Sequence, residues 1–192
     1  MSDVKRTYEF TGETKEYKGR TLHRIRAVTN LIAHGVKSGD LGGWIESENN
    51  LEHGYAWVGG DSMVMDNSIV KDRAGVSGSV KVTDNVIIKD TAKVFNMATV
   101  GGCAVISGNA LICDNALVVG DSCGVCDNGA VKENAVITNN AYVCGNATIS
   151  GNAVITDNAI VEGDAIVSGN AVVMGEVVIR DDSIIDKMMR VF

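Results

Sequence analysis

Residues 149–173 read "ISGNAVITDNAIVEGDAIVSGNAVV", in which Gly-Asn-Ala or Asp-Asn-Ala, once Gly-Asp-Ala, followed by an aliphatic pair returns every six residues. Taking the aliphatic that ends each word as position 1, the series runs backwards from Ile149 to Val58 and forwards to Ile185. One residue is added between Val118 and Val125, and every one of its twenty-two members is Val or Ile. Position 5 is mostly Ala or Ser, and positions 3 and 4 are mostly Gly, Asp or Asn. A helix cannot use this beat, because six does not match 3.6 and the words are built from poor helix formers. A flat meander fails too, since six residues do not hold a strand and its return. A coil with three short strands and three corners fits. Positions 5 and 1 lie two apart on a strand and share its inner side, while Gly, Asn and Asp take the corner conformations that β-branched residues resist. Eighteen residues then make one turn.

Composition agrees. The chain has 192 residues, 45% hydrophobic but only 5% aromatic, with 22 glycines and no proline. Val, Ile and Ala suit narrow strands, and proline would cost a parallel ladder a hydrogen bond. No apolar run reaches the ~18 residues of a spanning helix, and "MSDVKRTYEF" has no signal-peptide core. A cytoplasmic, membrane-free protein is expected. The net charge of −7 argues against nucleic acid.

From Trp57 to about Ile185 the chain resembles the hexapeptide-repeat family. That resemblance implies a left-handed parallel β-helix, the hand being the family's. The expected fold is all-β: a single-stranded helix of about seven triangular coils over 57–186, an N-terminal β cap over 1–56 and a terminal cover over 187–192. In the cap, "TYEFTG" and "GRTLHRIRAV" read as two strands joined through "EYKGR", and Trp44 and Trp57 are expected to plug the open end. The stretch "RAVTNLIAHGVKSGDLGGWIESENNLEHGYAWV" resembles uncharacterised hexapeptide-repeat proteins of bacteria and their phages or prophages, some labelled acyltransferases. A bacterial cytoplasmic or virion-associated location is what this resemblance implies.

Acyltransferases of the family use a histidine on or near the coil, a lid loop and a trimer interface. Here His23, His34 and His53 all precede the regular coil, and the one-residue insertion is too short for a lid. His53 is the single candidate base, with a capping role as the alternative, and acetyl-CoA would be the cofactor on that reading alone. No other cofactor is expected. Cys123 and Cys126 form a C-x-x-C without a second pair, a weak zinc signal. Cys126 and Cys144 share position 2 one turn apart, with Cα atoms expected roughly 4.8 Å from each other, as stacked thiols or a disulfide. The acids at position 3 are interrupted by Gly, so no metal site is expected.

Position 6 points outward yet is often apolar. One column carries Ile69, Ile87, Val105, Tyr142, Ile160 and Val178; a second carries Leu117, Val136, Val154 and Val172. Such stripes mark contacts. The expected function is a non-catalytic interaction or structural protein. It would form a homotrimer through the first column and bind another protein, as a host-protein inhibitor or virion part, with the second column as a partner face. An acyl-CoA-dependent acyltransferase is the alternative, and a small-molecule module using the backbone amides of Gly39–Trp44 the second alternative.

Overall fold

The computed structural model describes residues 6–186 and the backbone of Arg190–Val191. It is all-β: three parallel sheets run side by side along one solenoid, and each turn contributes one short strand to each sheet. Strand partners are eighteen residues apart, as in Lys93 with Leu111. The six-residue words are therefore thirds of a turn.

The inner side is the one the words specify. Twenty-one of the twenty-two position-1 residues are buried, and Ile179, near the far end, is partly buried against the same core. The alanines at position 5 are fully buried beside them. Each buried Val or Ile contributes roughly 1.5–3 kcal/mol. The corners explain positions 3 and 4. Asp66, Asp84, Asn96, Asp114, Asp127, Glu133 and Asp157 have φ between 56° and 69°, and Gly78, Gly108 and Gly151 alternate with them at the same position. Position 4 carries asparagine ladders, with Asn115, Asn134, Asn152 and Asn170 joined amide to amide at 2.9–3.2 Å.

The solenoid has about eight turns, against the seven expected, because the parallel ladder outruns the repeat. Strand β1 (Tyr8–Tyr17) and strand β2 (Arg20–Ala27) form the expected antiparallel hairpin. Strand β3 (Leu41–Ile45) is antiparallel to β2 but parallel to Met63–Val64. It is thus the first rung of the solenoid: Ile45 and Leu51, six residues apart, pair with Val64 and Val70, nineteen residues on instead of eighteen. The terminal cover expected over 187–192 lies outside the described residues, apart from the backbone of Arg190–Val191, which pairs in parallel with Val172–Val173.

Glycine makes β3 fit. A Cβ on Gly43 would sit 2.7 Å from the Ser62 carbonyl oxygen, and one on Gly42 would sit 2.8 Å from the Trp57 ring. The chain can approach the Trp57–Ser62 segment and Ile25 this closely only without side chains at those two positions. The tryptophan plug is corrected accordingly. The end is closed by Tyr8, Ile25, Ala27, Leu31, Ile45 and Leu51, which join the axial core. Trp57 belongs to that core but enters it from an outward position. Trp44 packs outside the coil with Leu22, Met63 and Met65, between Lys15 and Arg24 at 4.9 and 5.0 Å.

The inserted residue falls at a corner. Val105 pairs with Gly124, nineteen residues on, and the insertion lies between the strands Leu117–Gly120 and Gly124–Val125.

Candidate functional site

The carboxylates at the corners are occupied by the fold. Glu46 accepts the N–H of Asp66 at 2.7 Å, Asp66 accepts that of Asp84 at 3.0 Å, and Asp84 accepts that of Gly102 at 2.9 Å. Glu52, Asp72, Asp90 and Gly108 repeat the arrangement at another corner. In these stacks each corner N–H donates to the carboxylate of the preceding rung, and a glycine ends the stack because it donates its N–H but has no carboxylate to accept the next one. This accounts for the glycine interruptions in the acidic columns. The Gly102 N–H is the main reason the Asp84 carboxyl lies below the usual carboxylate range, followed by the Thr83 hydroxyl. The Arg20 guanidinium contacts Asp66 and lies 3.5 Å from Glu46, closing one stack on the cap.

The histidines are tied into the cap. The His23 ring lies 4.9 Å from Phe10. The His53 ring stacks on Tyr8 at 4.4 Å, and its Nδ1 is buried without a hydrogen-bond partner among the described residues. Beside it is a shallow cavity of about 270 Å³ lined by Thr7, Asn30 and Tyr55. The Tyr8 hydroxyl donates to the Leu51 carbonyl at 3.0 Å, and burial, ahead of the Glu48 charge, pushes it up to about 12. His34 is the histidine that sequence reasoning left off the coil. The turn Ile32–His34 lays its ring over Gly75, with Nε2 bonded to the Tyr55 carbonyl at 2.7 Å. Burial lowers its basicity most, the Tyr55 bond opposes this, and Lys93 adds to the lowering. The signal was a glycine at an outward position otherwise filled by larger side chains. The amides of Gly39, Asp40 and Trp44, expected as a ligand cradle, donate to the carbonyls of Ala27, Lys37 and Ser62.

The five cysteines divide by direction. Cys123 is buried at position 5, and burial raises its thiol to about 11; Cys113 is raised as far by burial and then by the Asp114 charge. Cys103 is exposed. The C-x-x-C pair therefore splits, with Cys123 facing in and Cys126 facing out. Cys126 and Cys144 have Cα atoms 4.8 Å apart, and their sulfurs are in disulfide contact.

The outer faces complete the inventory. In the column from Ile69 to Val178, those two residues and Tyr142 are 36–39% exposed. Lys71, Lys89, Glu162 and Arg180 border the column on the same sheet. The face that begins with Met63 differs. From Thr99 to Met174 its outward residues are Thr99, Gly101, Leu117, Val119, Val136, Thr138, Val154, Thr156, Val172 and Met174, and none is charged.

A comparison of the chain with protein-family models and with curated proteins finds no match. No helix of the described residues is long and apolar enough to cross a membrane.

Proposed function

We propose that the chain is a non-catalytic interaction protein: a rigid β-solenoid that assembles with itself and binds another protein through flat outer faces. The observation that carries this reading is the uncharged face from Thr99 to Met174. Isolated exposed apolar residues are ordinary. A continuous strip of Val, Leu, Thr and Met on successive rungs of a rigid ladder has the composition of an interface core, where charge is depleted. We assign the self-contact, a trimer closed by cyclic symmetry, to the Ile69–Val178 column, and the partner to the Met63 face. The resemblance of the Gly-Gly-Trp stretch to prophage proteins supports a phage or prophage origin, with a host protein or a virion component as the partner.

Acyl transfer has less support. His53 packs against the Tyr8 ring at a tilt of 33°, and His34 gives one nitrogen to a carbonyl and sets the other against Gly75.

Sedimentation of wild type, Ile160→Lys and Val154→Lys tests the reading. Wild type is expected well above the 20.2 kDa of one chain, Ile160→Lys at one chain, and Val154→Lys at the wild-type mass but without its partner in pull-downs from the native host. A monomeric wild type overturns the self-contact.

A further inference from the structure

Two Cys-Asp dipeptides, Cys113–Asp114 and Cys126–Asp127, each set a thiol directly after a strand, Leu111–Ile112 or Gly124–Val125, and an aspartate at the corner beside it. The Sγ to Oδ2 distances are 3.5 and 3.8 Å. At Cys113 the next rung brings Lys132, since Ile112 pairs with Val131. At Cys126 the next rung brings a second thiol, Cys144. The two sulfurs and an oxygen of Asp127 then lie within 4.8 Å of one another, and among the described residues no other three Cys, His, Asp or Glu side chains converge in this way.

We propose that the reduced Cys126–Cys144 pair, with Asp127, binds one thiophilic divalent cation such as Zn²⁺, and that cation and disulfide are exclusive states of the same two sulfurs. Two thiolates and a carboxylate supply three ligands of a tetrahedral zinc site, leaving the fourth position for water or substrate. Their sulfurs must stand about 3.8 Å apart for Zn–S bonds near 2.3 Å. A rung spacing of 4.8 Å between Cα atoms allows this by side-chain rotation alone. The backbone is fixed on both rungs: the amides of Cys126 and Cys144 each bond the next rung at 2.9 Å, to Val143 and Val161. The Gly145 N–H holds one Asp127 oxygen at 3.1 Å, the kind of outer partner that orients a ligating carboxylate. The open side is a shallow cavity of about 300 Å³ lined by Glu162 and Arg180. The expectation of no metal from the sequence weighed the C-x-x-C and the interrupted acids separately; this site takes one residue from each, Cys126 and Asp127, and finds its second thiol on the next rung, because Cys123 faces the core. On oxidation the two thiols lose two protons and two electrons to an added disulfide such as oxidised glutathione, which leaves as two thiols. The protein sulfurs join, and the cation has no thiolate left to hold it.

The test uses the full chain, reduced with a phosphine, and Co²⁺ as the probe. One Co²⁺ per chain is expected to give a thiolate-to-metal charge-transfer band, displaced by one equivalent of Zn²⁺. Cys126→Ser and Cys144→Ser each abolish the band, Cys113→Ser leaves it intact, and Asp127→Asn weakens binding by at least the roughly tenfold typical of outer-shell changes. Protein treated with oxidised glutathione takes up no Co²⁺. Independently of any variant, Zn²⁺ shields Cys126 and Cys144 of wild type from alkylation and leaves Cys103 reactive. No band from reduced wild type, an undiminished band in Cys144→Ser, or equal alkylation with and without Zn²⁺ overturns the proposal.

Discussion

The carboxylate of Asp84 accepts the backbone N–H of Gly102, one turn further along the solenoid, at 2.9 Å. The bond forms only with the ionised group at full strength, so the folded-state pKa of Asp84 is depressed, and Asp114 is depressed in the same way by the N–H of Glu133. A depressed carboxylate contributes stability that is present above its unfolded value, 3.8, and is lost as pH falls through the folded value. Thermal melts are expected to be level above about pH 5 and to decline below about pH 4. Asp84→Asn, which keeps an accepting oxygen, should shallow that decline. A melting temperature unchanged down to pH 2 would contradict the role given to the corner acids.

Ile155 is fully buried on the axis, stacked between Ile137 and Val173. Ile155→Asp places a carboxylate there without a partner, a loss of several kcal/mol. The variant should be insoluble or give a proteolytic core ending near residue 136. A soluble protein melting with wild type would refute the axial packing.

Gly43 tests the junction of cap and coil. Gly43→Ala brings a methyl group to 2.7 Å from a backbone oxygen that cannot retreat without moving the next rung. A cost of about 1–3 kcal/mol is expected, as for overpacked interiors. Hydrogen exchange should show it first in β1, β2 and β3, with the strands beyond Ile106 protected as before.

His53 is expected to act through packing. His53→Ala should lower stability by about 1 kcal/mol through loss of the Tyr8 stack. Acetyl-CoA should leave the melting temperature of wild type unchanged. A ligand-induced rise that His53→Ala removes would restore the acyltransferase reading.

What could be read from the letters was the periodic part. Val or Ile at every sixth position states which side of a strand is dry, and the alanines of position 5 state how little room the corners leave. The asparagine ladders follow once eighteen residues make a turn. The first rung was hidden because the beat slips by one residue before Val58. Ile45 and Leu51 are six apart and buried on the axis, but they pair with Val64 and Val70 nineteen residues on, and the small inward residue before Ile45 is Gly43 rather than alanine. His34 was misplaced because only the folded cap carries its ring onto Gly75. Asp84 and Gly102 are eighteen residues apart and become donor and acceptor only when rungs stack. The Cys126–Cys144 spacing was visible; the contribution of Asp127 was not, because it depends on the corner turning the aspartate back toward the strand.

The extra residue near Ser122 shows where this chain can change length. It lies between the strands Leu117–Gly120 and Gly124–Val125, and an addition inside either would invert wet and dry for everything beyond it. At the corner the same addition only swings Ser122 toward the Tyr142 hydroxyl, 3.4 Å away. Edges of the prism are thus the natural ports for grafted loops or reporter peptides, and new lineages of such coils can gain extensions there without resetting a single rung.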